Sequence, residues 1–368
     1  MIRIIDILKV LQTIAPFQLQ EGYDNSGLLV GDETDEVSRA LIALDVTEAV
    51  VDEAIAKSCD LIISHHPLIF KGIKRLGKGS VVERVVRKAI KNEIAVLCVH
   101  TNLDNSCCGV NRKLGEVLGL TNMRILQPMR DRLFKLSVYV PDTYADSVRL
   151  ALFDAGAGHI GNYDSCSFNV GGFGTFRALP GANPTIGSIG EHHRESECKV
   201  ETIVPEFILS SAIAKMKEVH PYEEVAYDVY PLHNVYEQAG AGMIGELPDD
   251  MSEDTFLSHI GRCLGTPCLR HSACGDRMIR RVAICGGAGA FLLSDAIHNK
   301  ADAYITGDIK YHEFFDADDR ILMVDAGHFE TEQFTKELLY EIITKKIPTF
   351  AAIIAETNTN SVHYFCKK

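Results

Sequence analysis

No stretch of this chain approaches the roughly 20 consecutive apolar residues that a membrane-crossing helix needs, which excludes an ordinary helical membrane protein. The opening MIRIIDILKVLQTIAP also lacks the long apolar core and small-residue cleavage site of a secretion signal. A basic run is missing too. Lys and Arg number 37 against 50 Asp and Glu, a formal charge of −13. Affinity for nucleic acid rests largely on neutralising phosphates, so this balance argues against nucleic acid as the main partner. The 11 cysteines form no CxxC pair: Cys107 and Cys108 are adjacent, and Cys263, Cys268 and Cys274 are separated by four and five residues. A secreted disulfide framework and a thiolate zinc site are both unsupported, and the thiols read as reduced and structural. The expected location is the cytosol, with no membrane partner.

What is present is an ordinary globular composition, 46% hydrophobic over 368 residues, enough for two or three domains. Ile4, Ile5, Leu8 and Leu11 recur at helical spacing, so the first segment reads as an amphipathic helix stopped by Pro16. Two distant segments look alike: RALIALDVTEAVVDEAIAKSCDLIISHHP from Arg39, and RVAICGGAGAFLLSDAIHNKADAYITGDI from Arg281. Each reads as strand, turn, a helix of about a dozen residues, then a second apolar strand after Asp60 or Asp302. IAVLCVHTNLDN from Ile94 likewise parallels ILMVDAGHFETE from Ile321. The fold class is therefore α/β: a pseudo-symmetric duplicated domain whose two halves face a cleft at their strand ends.

The stretch between the halves has another character. FKLSVYVPDTYADSVRLALFDAG from Phe134 is echoed by ECKVETIVPEFILSSAIAKMKEV from Glu197. With the strand-like segments after each, the order is β-α-β-β-α-β, the ferredoxin-like pattern. The expected domains are 1–127 and 237–368 as the two halves of one α/β domain, and 128–236 as an inserted ferredoxin-like α+β domain. GGFGTFRALPGANPTIGSIGEHH within the insert reads as a long loop, uncommon enough to suggest function or assembly.

Chemistry concentrates at the strand ends. DLIISHHPLIF ends an apolar strand in His65 and His66, followed by Pro67. Neighbouring side chains on a strand point to opposite faces, so both rings reach one site only if the chain bends there, as Pro67 favours. In AGHFETEQF, His328 and Glu332 stand four apart, sharing one face of a helix. Asp104, in VHTNLDNS, follows the equivalent strand of the first half. His65, His66, Asp104, His328 and Glu332 make a mixed N/O ligand set suited to zinc, iron, manganese or cobalt. Five ligands exceed one tetrahedral ion and leave two ions with open positions, the mark of a catalytic pair. ITGDIKYHE offers Thr306 for substrate, and Asp308 and His312 as candidate catalytic groups that transfer protons. YDNSGLLVG offers Asp24 and Asn25 for substrate. CGGAGA could cradle an anion at a helix start but matches no phosphate-loop spacing, and reads better as packing. In HPYEEVAYDV, His220, Glu223 and Glu224 could form a second metal site, although a solvated turn explains them more simply.

The pieces YDNSGLLVG, ISHHPLIF, HTNLDN, GGAG, TGDIKYHE and GHFETE, in that order, resemble the Nif-three family, whose bacterial members are often labelled GTP cyclohydrolase I type 2 homologues. Tyr23 stands where relatives commonly carry Trp, in a chain without any Trp. The insert resembles the PII/CutA-like domain of a subset of members. The resemblance implies a dinuclear site on the same five residues, a toroidal homohexamer and two divalent ions per chain, with zinc as the first choice. It also implies a metal-dependent hydrolase that uses a metal-bridged water, with GTP as a substrate whose purine ring is opened with loss of formate. The competing expectation is a non-catalytic metal-binding regulatory or ligand-sensing protein.

Overall fold

The computed structural model describes residues 1–273 and 277–365; Cys274 lies outside them. Contacts divide the chain into two compact units, Met1–Pro128 with Gln238–Lys368, and Met129–Glu237. Among the described residues every cysteine is free. No helix there is long and apolar enough to cross a membrane.

Besides a two-stranded pairing of Ile2–Arg3 with Glu36–Val37, the described residues of the outer unit form two larger sheets built alike. In one, strands Arg39–Ala43, Leu61–Ser64 and Ala95–Cys98 run parallel, flanked by Ala351–Ile354 and by antiparallel Gly27–Val30. In the other, Ile279–Ala288, Ala303–Gly307 and Leu322–Asp325 run parallel, with Tyr236–Met251 antiparallel to the first of them. The aspartates noted in the repeat have one job in both halves. Asp60 accepts hydrogen bonds from the N–H groups of Ser38 and Arg39, and Asp302 from those of Arg280 and Arg281. Each thereby pins the start of one strand to the start of the next, satisfying donors that the sheet leaves open.

Apolar strands buried on both faces explain the near-continuous hydrophobic runs. Leu41, Ile42, Leu61, Ile62, Ile63 and Leu97 are all fully buried. Thr47 caps the crossover helix Glu48–Ala56 through Val50 N–H, and Ser80 caps Val81–Lys91 through Glu83 N–H. Two expectations need correcting. The crossover helices are shorter than a dozen residues: nine in Glu48–Ala56, and six in Leu293–His298 after a 3-10 turn. The first helix, Ile4–Gln12, buries Ile7 rather than Ile5 and ends before Pro16 is reached.

Glu53 on the crossover helix anchors the chain after Ala351–Ile354. Its carboxylate accepts from the N–H groups of Glu356 and Thr357, from the Thr357 hydroxyl and from Lys57. Burial opposes ionisation, but Lys57 and Thr357 outweigh it and lower the pKa from 4.5 to about 2. A depressed carboxylate contributes stability that is full above about pH 4.5 and is lost as pH falls through about 2. Glu53→Gln is expected to cost about 2 kcal/mol at pH 7. The gap between the urea midpoints of the two proteins should hold above about pH 4.5 and close as pH falls towards about 2; a gap that widens on acidification would contradict the assignment.

The middle unit follows the order β-α-β-β-α-β. Its four strands lie in the order Tyr227–Leu232, Leu133–Pro141, His192–Pro205, Ser167–Arg177, all antiparallel. Helices Ala145–Asp154 and Glu206–Val219 pack with the sheet around Val138, Val140, Val148, Val200, Val204 and Met216. The glycine-rich stretch read as one long loop divides. Its first part belongs to strand Ser167–Arg177, and only residues 178–191 connect to the next strand. The glycines stay in the ladder because the partner strand supplies the large side chains opposite them, Glu195 against Gly174 and Glu197 against Gly172.

Candidate metal centre

The outer unit delivers its polar residues from the carboxyl ends of parallel strands. His65 and His66 follow Leu61–Ser64 directly, and their N–H groups reach Ala43 O and Leu44 O. Both rings nevertheless face one site, with centroids 4.9 Å apart. Asp104 closes the short helix Thr101–Asp104 beyond Ala95–Cys98. Buried Asn102 and Asn105 staple that turn to Ala15 O and Leu19 O, and Asn111 holds the Asp104 carbonyl. His328 and Glu332 open and close the helix His328–Glu332, one turn apart, as their spacing predicts.

Among the described residues three groups could hold a metal ion: His65, Asp104 and Glu332; His66, His328 and Glu332; and His65, His66 and His100, with ligand atoms within 4.8 Å of one another in each. Glu332 belongs to two of them and divides its oxygens. Oε1 lies 3.8 Å from His65 Nε2, while Oε2 lies 2.9 Å from His66 Nε2 and 3.1 Å from His328 Nε2. His65 Nε2 stands 3.5 Å from Asp104 Oδ1, and these two buried atoms have no hydrogen-bond partner. Orphaned polar atoms in a protein interior are costly, and a cation between them removes the cost. The residues fit a metal.

The outward ring nitrogens are all engaged. His65 Nδ1 meets Val99 O at 2.9 Å, His66 Nδ1 meets Asp45 at 2.7 Å, and His328 Nδ1 meets Asp308 at 2.7 Å. Such partners fix which nitrogen is left for the ion and make it more basic. Charge follows. Burial opposes protonation of His66 and His328, but the carboxylates around them win and raise their pKa values to about 10 and about 9. Burial likewise opposes ionisation of Glu332, yet His328, His65 and His66 hold it well below the carboxylate range. Asp104 is pushed up to about 7 by burial. Protons on the imidazoles occupy the role a cation would take.

The other sequence candidates fall around this centre. Asp308 supports His328 from a left-handed backbone position (φ 56°). The side chain of Asp24 is shielded from solvent and accepts from His100 Nδ1 at 2.7 Å and from Thr101. Asn25 ties its loop to Ile69 O. Thr306 is buried between Gly287 O and Gly289 N–H. His312 is exposed beside Tyr311 and Phe315. The reading of residues as ligands passed over His100 and Asp45, although VHTNLDNS carries His100 beside Asp104; Asp45 has no local signal at all. The less favoured reading of HPYEEVAYDV, a second metal site, gathers no ligand group among the described residues. His220 Nε2 donates to Tyr139 O and Nδ1 accepts from Tyr222 N–H, so neither nitrogen is free.

CGGAGA is clearance for the centre rather than an anion cradle. The N–H groups of Gly286, Gly287 and Gly289 are taken by Asn111, Thr331 and Thr306. At Gly287 (φ +63°) a Cβ would stand 2.3 Å from Glu332 Oε1 and 3.2 Å from His328 Nε2. Gly287→Ala is therefore expected to lower zinc affinity about tenfold or more while every ligand remains; competition against a chromophoric chelator measures it, and an unchanged affinity would refute the crowding.

Facing strand ends that gather imidazoles and buried carboxylates define the class: an α/β protein of two matched halves with a cluster between them that could hold a metal ion. The Duf34/NIF3 (NGG1p interacting factor 3) family model matches residues 2–361, and the chain belongs to that family. It is 40% identical over 341 residues to a Halalkalibacterium halodurans protein named GTP cyclohydrolase 1 type 2 homolog, covering 92% of this chain and 91% of that one. A Bacillus subtilis protein of the same name is 37% identical over 364 residues, 96% of each chain. The crystal structure of a Bacillus cereus protein related to NIF3 superposes with TM-score 0.87 at 38% identity, covering 99% of each chain.

Proposed function

We propose that the chain is a dinuclear metal-dependent hydrolase acting on a small anionic substrate, with GTP ring opening and formate release as the leading reaction. The observation that carries this reading is the division of Glu332 between two ligand groups. His65 and Asp104 would hold one ion with Oε1, and His66 and His328 the other with Oε2. A divalent pair, zinc before iron, manganese or cobalt, supplies Lewis acidity and makes water nucleophilic near neutral pH.

The chain's own residues do the rest. His100 has Nδ1 fixed by the shielded Asp24 side chain and its ring beside His65 and His66, which suits its other nitrogen to take up and return a proton. Asp45 and Asp308 act through His66 and His328, holding their tautomers. A cavity of about 750 Å³ opens beside these histidines, large enough for a nucleotide-sized ligand. On its wall Asp45, Asp308, Asp325 and Glu330 outnumber Arg270, so an anion is welcome only where bound cations reverse the local field. Metal-stripped protein should accordingly bind GTP about tenfold or more weakly than zinc-loaded protein by calorimetry; equal affinity would detach the cavity from the centre.

The names of the relatives support the reaction class. A homohexamer in the cytosol belongs to the same proposal. We also read the middle unit as an inserted ferredoxin-like domain, supported by its element order and antiparallel sheet. The decisive test is formate release from GTP by protein loaded separately with zinc, manganese and iron, with Glu332→Ala in parallel. Turnover that disappears in the variant is expected. No turnover with any metal at full occupancy would overturn the reaction and leave a metal-binding regulatory protein.

A further inference from the structure

The middle unit carries a cavity of about 540 Å³ of its own, on the sheet face opposite Val200 and Val204. Residues 178–191 roof it. That roof is tied down by Asn183 N–H to Glu223 at 2.9 Å and by the Thr185 hydroxyl to Pro221 O at 2.6 Å. Its walls are aromatic and aliphatic: Tyr139, Phe176, Tyr222, Leu179 and Ile186.

At its edge lies Glu197, only 9% exposed. Oε1 accepts from the Tyr222 hydroxyl at 3.0 Å. Oε2 makes no hydrogen bond among the described residues, and no basic side chain there forms an ion pair with Glu197. Of the nearby cations, Lys199 pairs with Glu201 and Arg194 lies over the Phe173 ring, while Arg177 lines the cavity without an ion pair to Glu197. Carboxylates are almost never buried unless paired, because taking a lone charge out of water costs several kcal/mol.

The surroundings are nonetheless built to keep Glu197 there. Gly174 leaves the space the carboxylate fills, since a Cβ on it would stand 2.0 Å from Oε2. His220 holds Tyr222 by its N–H while donating to Tyr139 O, and so fixes the two aromatic walls to each other. The Phe176 and Tyr222 rings lie 6.0 Å apart. A buried anion beside π faces is the arrangement that recognises an organic cation. It is a poor metal site: although Glu223 and Glu224 also line the cavity, no three ligand groups converge there among the described residues.

We propose that this cavity binds a small organic cation, an amidinium or primary ammonium on an apolar or aromatic body, with Glu197 as its counter-ion. The site is independent of the metal centre, and neither needs the other for its chemistry.

Benzamidine is the probe, with uncharged benzamide as its near-isostere, titrated calorimetrically into the full-length chain. One benzamidine per chain should bind, and benzamide about tenfold or more weakly. Glu197→Gln should weaken benzamidine about tenfold or more and leave zinc content unchanged. Ala226→Trp, a plug grown from an exposed wall position, should abolish binding without touching the carboxylate. Should Glu197→Gln not fold, the benzamide comparison and the plug still decide. The proposal is overturned if benzamide binds as well as benzamidine, if the plug has no effect, or if benzamidine fails to saturate by about 10 mM.

Discussion

Glu332→Gln is expected to empty the whole centre of metal, while His65→Asn empties only part of it. The amide keeps the shape of the carboxylate but presents one oxygen and one N–H₂, and an N–H₂ pointing at a cation repels it. Since Oε1 faces His65 and Asp104 and Oε2 faces His66 and His328, one group loses its oxygen to the N–H₂ and the other keeps only a neutral carbonyl in place of a carboxylate. Metal content measured by mass spectrometry after zinc loading should drop from about two ions per chain to under a tenth of that. His65 belongs with Asp104, so His65→Asn should leave about one ion, on His66 and His328. Two substitutions with equal losses would mean a single ion and would end the dinuclear reading.

The second large effect falls on a residue with no chemistry. Gly109 immediately precedes the helix Val110–Val117, and a Cβ on it would stand 1.6 Å from the carbonyl oxygen of Leu103. The obstacle is backbone, so no side chain can swing away. Leu103 is itself buried in the core, and Asp104 is the next residue. Gly109→Ala must therefore push the turn that carries Asp104, a proposed metal ligand. A loss of about 3 kcal/mol in urea unfolding is expected, typical of forced overpacking, with weakened zinc retention in the fraction that folds. A variant within about 0.5 kcal/mol of wild type would show that the turn yields freely.

These two cases mark what a sequence discloses. His65, His66, Asp104, His328 and Glu332 were legible because each ends a strand-like run or shares a helical face, and those periods say which residues reach a strand end together. Asp45 was harder: a carboxylate that steadies an imidazole through its far nitrogen sits 20 or so positions away in the chain, with nothing local to mark it. Asp308 stands out in ITGDIKYHE as a proton carrier, and only the folded chain sets it against His328. Asp24 was noticed for substrate, and only the folded chain puts it behind His100. The glycines were the least legible. CGGAGA and the glycine before Val110 look like turn chemistry, whereas their value is the space they leave to Glu332 and to Leu103 O. Absence of a side chain has no periodicity to read.

The strands Thr121–Met129 and Tyr236–Met251 are neighbours in one sheet, and between them the chain departs for the 109 residues of the middle unit. The two doors of this excursion stand side by side, so close that a Cβ at Gly240 would touch Gln127 O at 2.2 Å. To the outer unit, such a passenger is topologically no more than a generous hairpin loop, and loop-closure entropy grows only slowly with length. The length of chain between the two doors can therefore change at small cost to the frame that holds His65, Asp104 and Glu332.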